Sequence, residues 1–181
     1  MPSKYFTGNV SQELALLGFL LASPSHGYDL HQRFTADLGH VWHLSQSQAY
    51  SILKRLESRG DISSQLMEQE KLPARQVFRI TEEGRRRFFE WLESGIGRNA
   101  RSIRLEFLTR LYFLQFYRQD SMAQVYSAQF AEIETTIVRL ASLLEQLPAE
   151  QVFNRLSLEL RLRQMNLIRS WMADIKTQFS L

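Results

Sequence analysis

Four histidines, His26, His31, His40 and His43, fall within 18 residues and are the first place to look for chemistry. A metal site needs further His, Cys, Asp or Glu ligands within reach, and His40-x-x-His43 has no such companion set. The chain contains no cysteine, which removes thiolate ligands, cysteine nucleophiles and a disulfide framework together. It also lacks a glycine-rich phosphate loop. The histidines therefore read as loop and helix-surface residues; no metal or cofactor is expected, and an enzyme is disfavoured. A different chemistry lies between positions 45 and 60. Gln46, Ser47, Tyr50, Ser51, Lys54, Arg55 and Ser58 supply short hydrogen-bonding groups and two cations with no carboxylate among them. Such a set suits base edges and phosphates in a major groove.

For these residues to act together they must share one face of a helix. Ser45-Gln46-Ser47-Gln48 fits a capping box, in which a Ser side chain and a Gln three residues on satisfy each other's free amides, and Gly60 closes the helix. At 100° per residue Ala49, Ile52, Leu53 and Leu56 occupy one arc of about 100°, which predicts a core face opposite the polar one. Two helices precede it. The first is apolar nearly all round from Glu13 to Ala22, with order starting near Ser11 and a stop at Ser23-Pro24. The second starts from Ser25 as cap, has Tyr28, Leu30, Phe34 and Leu38 as its apolar positions, and ends at Gly39. After Gly60 the pattern changes to period two through Ile62, Ser64, Leu66 and Glu68. It turns around residues 69–74, and returns along 75–80 into Thr81, the cap of a fourth helix that reaches Trp91 and Leu92. Ser94-Gly95-Ile96-Gly97 then marks a boundary between two units, 1–95 and 96–181.

The second unit reads as helix throughout. From Asp120, taken as a cap, Met122, Tyr126, Phe130, Ile133, Ile137, Leu140, Leu144 and Leu147 step by four and three, a heptad-like seam that calls for a helical partner. Pro148 breaks the seam. The last helix bears two apolar stripes, Phe153, Leu156, Leu160, Leu167 and Trp171 beside Leu158, Met165, Ile168, Met172, Ile175 and Phe179, so one can pack at home and one on a second chain. Dimerisation is accordingly placed on Tyr126, Phe130, Ile133, Ile137 and Leu140 with Leu167, Ile168, Trp171, Met172 and Ile175.

Net charge is +3, and the excess is carboxy-terminal: residues 1–95 carry 11 Lys+Arg against 11 Asp+Glu, residues 96–181 carry 11 against 8. A polyanion would thus be met by a local basic face of the first unit. No run of apolar residues is long enough for a membrane helix, and the first residues lack a signal-peptide pattern, so a cytoplasmic setting is expected.

Helix, helix, capped helix, hairpin, helix is the winged helix-turn-helix order, and its residues resemble the PadR family of transcriptional regulators. Leu17-Gly18-Phe19-Leu20-Leu21 followed by His26-Gly27-Tyr28-Asp29-Leu30 is similar to the family's opening motif. Tyr50 with Leu53-Lys54-Arg55-Leu56-Glu57-Ser58-Arg59-Gly60 is similar to its recognition helix, and Pro73-Ala74-Arg75 with Phe78-Arg79-Ile80-Thr81-Glu82-Glu83-Gly84 to its wing. The match covers 14–92. More loosely, Arg104 to Leu108 and Leu111-Tyr112-Phe113 resemble the helical domain of the larger, virulence-activator-like branch. Two residues depart from the pattern: Ser51 stands where a proline is common, and Gln76 where a basic residue often follows the wing arginine.

The resemblance implies a mainly α fold with a small β-hairpin wing, a winged helix-turn-helix domain plus a carboxy-terminal helical dimerisation domain. It implies a homodimeric regulator, typically a repressor, that places two recognition helices on an inverted repeat of double-stranded DNA. Gln46, Ser47 and Tyr50 are then the base readers, with Ser45 as their cap and the Ser51 hydroxyl an added contact. Tyr28, Lys54, Lys71 and Arg75 are the phosphate contacts. A small aromatic effector near the junction of the units is also implied, with Phe88, Trp91, Phe107 and Tyr112 as candidate lining. The rival readings are a winged-helix adaptor that binds protein, for which a carboxylate-rich outer face on the third helix would speak, and a MarR-type regulator, whose dimerisation helices flank the wing domain at both ends.

Overall fold

A computed structural model describes residues 8–69, 72–95, 97 and 99–180. Helix α1, Gly8–Ala22, starts three residues before the expected Ser11, because Gly8 and Asn9 are weak helix formers that a propensity reading leaves outside. Leu14 to Leu17, Phe19 and Leu20 are buried on it, so the all-round apolar pattern is the signature of a central helix. Ser25–His26 is not the start of the second helix but a short strand, β1; α2 is Gly27–Leu38 and has His26 at its cap position without a side-chain bond. The Ser25 backbone is paired with Phe78, which takes it out of the capping role. After α3, Gln46–Ser58, come β2, Ile62–Gln69, and β3, Leu72–Ile80. Strand β3 begins three residues before the expected 75, and the connection is correspondingly shorter. The sheet is antiparallel in the order β1-β3-β2, with Ser64 opposite Phe78, Leu66 opposite Gln76 and Met67 opposite Arg75.

Helix α4, Glu82–Glu93, starts at Thr81, whose hydroxyl accepts from the Gly84 amide at 3.1 Å. Residues 100–117 form one helical run, α5, made of Ala100–Ser102, a π-helical stretch Ile103–Phe107, and Leu108–Tyr117. A 3-10 turn, Gln119–Ser121, leads into α6, Met122–Gln146, so Ser121 and not Asp120 is at the cap position. The last helix, α7, is Val152–Phe179.

One apolar core runs through all of this. Phe113 of α5 stands edge-on to Phe19 and to Phe88, each at 5.3 Å, and a Cβ on Gly18 would lie 2.5 Å from the Phe113 ring. Tyr117 donates to the Gly18 carbonyl at 2.8 Å, and the Trp42 indole donates to Thr109 at 2.8 Å. Helix α5 is thus keyed into the first unit, and the connection after residue 95 is not a gap in packing. Helices α6 and α7 form an antiparallel pair: Tyr126 donates to the Met172 carbonyl at 2.8 Å, and at the other end Arg155 donates to the Leu147 carbonyl at 2.8 Å.

Candidate nucleic-acid interface

The polar face of α3 is positioned by its start, its buried side and a set of ion pairs. Ser45 Oγ accepts from the Gln48 amide at 3.3 Å while Gln48 Oε1 accepts from the Ser45 amide at 2.9 Å, the reciprocal box expected. Ala49, Ile52, Leu53 and Leu56 are buried, and Gly60, at φ 78°, turns the chain into β2 in a conformation that glycine takes without strain. Gln46, Ser47, Tyr50, Ser51 and Lys54 all face solvent.

Their surroundings differ. Tyr50 is 43% exposed, and its ring lies over Gly27, where a Cβ would be 2.7 Å from it. The first residue of α2 is thereby matched to the middle of α3. Tyr28 is half exposed, and its hydroxyl accepts from Gln32 at 2.7 Å. The Ser51 hydroxyl donates to the Ser47 carbonyl at 2.9 Å, which leaves its oxygen, not its proton, for an outside partner. Lys71 lies outside the described residues, and Arg75 enters only by its backbone pairing with Met67.

Sequence reasoning missed the ion-pair set behind this face. Glu13 is buried on α1 and takes Arg55 Nε at 2.5 Å, with Arg59 against its other oxygen and Arg87 at 3.4 Å. Asp61, also buried, takes Arg59 Nε at 3.3 Å and binds Arg87 as well. Two carboxylates and three guanidiniums thus lock α1, α3, the entry to β2 and α4 together. Arg55, which the sequence places among the cations of the outer face, is partly exposed but paired to Glu13 in this lock, which leaves Lys54 as the cation of that face with no ion pair among the described residues. The signal was available: Glu13 is a lone carboxylate at the head of an apolar run, and Arg55 and Arg59 are one helical turn apart.

The four aromatics placed around an effector are core residues. Phe88, Trp91 and Phe107 have no exposed surface, and the rings of Phe89, Phe113 and Tyr117 pack against Phe88 and that of Trp171 against Phe107. Tyr112 is half-buried and donates to Asp37; burial first, and then that carboxylate, hold its hydroxyl well above the usual tyrosine range. Beside Trp91, the buried Arg110 guanidinium lies 5.0 Å from the indole ring and donates to the Ser94 carbonyl at the end of α4. Burial lowers its pKa to about 10 and raises that of its partner Glu106. A separate cleft of about 550 Å³ lies between the end of α4 and the start of α6, lined in part by Ser94, Gly95, Ser121, Gln124 and Gln129.

The residues assigned to dimerisation divide. Tyr126, Ile133, Leu140, Met172 and Ile175 are buried between α6 and α7 of one chain, because the seam's partner is the chain's own last helix. Phe130, Ile137, Ile168 and Trp171 are partly buried against the same core, and Leu167 is 71% exposed. The stripe of α7 that starts at Phe153 is the one left outward, and the stripe from Leu158 to Ile175 packs at home.

Residues 16–90 match the model of the transcriptional regulator PadR-like family. Over that stretch the chain is similar to PadR-like regulators. The negative transcriptional regulator PadR of Bacillus subtilis is 25% identical over 137 residues, 75% of this chain and 74% of that one. The crystal structure of Bacillus subtilis PadR in complex with operator DNA is 22% identical with a TM-score of 0.45, over 92% of this chain and 97% of that one. The Vibrio cholerae virulence activator AphA is 19% identical with a TM-score of 0.41, over 93% and 97%. The matched family is one of transcriptional regulators. No described helix is long and apolar enough to cross a membrane.

Proposed function

We propose that this PadR-like chain acts in the cytoplasm as a homodimeric repressor, setting the outer face of α3 into successive major grooves of an inverted-repeat operator. The observation that carries the reading is that face itself: Gln46, Ser47, Tyr50, Ser51 and Lys54 exposed side by side on a helix whose opposite side is wholly buried. Gln46, Ser47 and Tyr50 read base edges; Tyr28 and Lys54, with Lys71 and Arg75 of the wing, hold phosphates and fix the register. The adaptor alternative would need carboxylates on this face. Glu57, the one carboxylate of α3, is half-buried and accepts from Ser64.

Small-molecule control, also implied by the family resemblance, is better housed in the cleft between α4 and α6 than among the filled aromatics. The Gln129 side-chain amide nitrogen there is buried without a hydrogen-bond partner, and a ligand acceptor would satisfy it. Footprinting on the chain's own promoter tests the central reading. Two protected major-groove faces about one helical turn apart are expected; protection that follows no sequence, or a single isolated half-site, contradicts it.

A further inference from the structure

The buried residues of α3, Ala49, Ile52, Leu53 and Leu56, centre on one direction. At 100° per residue, Ser47 and Ser58 point within about 10° of the opposite direction, and Ser51 and Lys54 within about 30°. Tyr50 and Arg55 stand about 70° away from it, and Gln46 about 110°. The crest of the exposed face is therefore low, three serines and one lysine, with the larger side chains on its flanks. Short side chains on a crest let the helix come close to the floor of a groove. A hydroxyl can donate or accept, so the direction in which each serine spends its proton decides what it can meet.

Ser51 donates its only proton to the Ser47 carbonyl at 2.9 Å, and Ser58 donates its own to the Arg55 carbonyl at 2.9 Å. A carbonyl has no proton to return, so the sense of both bonds is fixed. Ser47 differs: its hydroxyl oxygen lies 3.1 Å from that of Ser45, and either of the two can be the donor. Ser47 thus stays adaptable, while Ser51 and Ser58 offer lone pairs alone. A phosphate oxygen, itself only an acceptor, gains nothing from such a group. Ser58 is the last residue of α3, whereas Ser51 lies one turn past Ser47 in the amino-terminal half, the part of a recognition helix that meets base edges.

In a major groove the hydrogen-bond donors are the exocyclic amines, N6 of adenine and N4 of cytosine; guanine and thymine carry the O6 and O4 carbonyls at the corresponding place. We infer that Ser51 reads a base by accepting a hydrogen bond from that amine, and so selects adenine or cytosine against guanine or thymine at one position on one strand of each half-site. A keto oxygen there would face a lone pair with no proton between them. Ser51 is also one of the two positions at which the chain departs from the pattern it resembles, so the contact is a property of this chain. The contact rests on the operator reading proposed above and adds to it a residue and a sense of hydrogen bonding.

Selection of bound duplexes from a randomised library, with the parent chain and with Ser51→Ala and Ser51→Thr, tests the assignment. Alanine is a better helix former than serine, so the first variant keeps α3; threonine keeps a hydroxyl that can bond the same carbonyl one turn back. The parent should enrich adenine or cytosine at one position per half-site by roughly two- to tenfold, the worth of one hydrogen bond. Ser51→Ala should lose that preference and no other, and Ser51→Thr should retain it. Replacing the selected base by its analogue without the amine, purine for adenine or 2-pyrimidinone for cytosine, should weaken the parent by the same factor and leave Ser51→Ala unaffected. Enrichment of guanine or thymine at the position that Ser51→Ala alters would show the proton turned outward and overturn the inference. So would a Ser51→Ala chain that keeps every base preference, whether at unchanged affinity or with a uniform loss and a shallower salt slope, the mark of a phosphate contact. No base preference by the parent at any position would sink operator reading itself, and the role of Ser51 with it.

Discussion

Gly27 is the residue that sets where Tyr50 stands. The ring occupies the space a Cβ would need, and because it is half in water it can swing away at little cost. Gly27→Ala is therefore expected to leave the melting midpoint nearly unchanged while weakening operator binding several-fold; a large stability loss with unchanged affinity would contradict the role given to Tyr50. Glu13 is the opposite case, a buried anion shared by three arginines, whose removal leaves Arg55 without a carboxylate while Arg59 and Arg87 keep Asp61. Glu13→Gln should cost roughly 2–4 kcal/mol in denaturant unfolding, less than for a fully buried pair because Arg55 and Arg59 stay partly open to water.

Tyr112 supplies a pH signature. Its hydroxyl pKa in the folded chain is raised, so the folded state holds that proton more tightly than the unfolded one. The stability this contributes is complete below about pH 10, the unfolded value, and is lost as pH climbs through the folded one. Tyr112→Phe should therefore be less stable than the parent by about 1 kcal/mol at pH 8. The gap in denaturation midpoints should narrow above pH 10, and a constant gap would rule out the titrating hydrogen bond to Asp37.

At the scale of elements, α3 shows what a sequence displays and what it hides. The capping box at Ser45 and Gln48, the core face and Gly60 are local features, set by neighbours within a turn, and each is found as expected. Ser45→Ala should cost about 1 kcal/mol and fray the turn that carries Gln46 and Ser47. Thermal unfolding reads the first effect, and amide exchange at those residues the second. The ion-pair lock was only half legible: Glu13 heading an apolar run and Arg55 one turn before Arg59 stand in the sequence, but their meeting with Asp61 and Arg87 is set by the fold. Strand β1 was hidden for the same reason: two residues have no period, and only the Phe78 and Val77 backbone makes Ser25–His26 a strand. The α6 seam was visible as a demand for a partner, but a heptad does not say whether that partner is the same chain. The aromatics of α4 and α5 looked like pocket walls because spacing alone cannot separate a lined cavity from a filled one.

On the scale of the whole molecule, the continuous core makes α5 the link between the winged portion and the α6–α7 pair. Phe113 and Tyr117 hold it to α1 and α4, and Phe107 reaches Trp171 of α7 at 6.4 Å. A change at α7 is therefore coupled mechanically, through α5, to the winged portion that carries α3. The function proposed for the whole molecule is operator reading by α3. Its most direct test is a titration of a promoter duplex against a scrambled duplex, over a range of salt, with the parent chain and with a Tyr50→Ala, Lys54→Ala variant of equal helicity and mass. Tight, sequence-preferring binding by the parent that weakens steeply with salt is expected. The variant should lose the preference, and its salt slope should be shallower by about one for each phosphate it no longer neutralises. Equal affinity of the parent for both duplexes at every salt concentration, or a variant that discriminates as well as the parent, would contradict it.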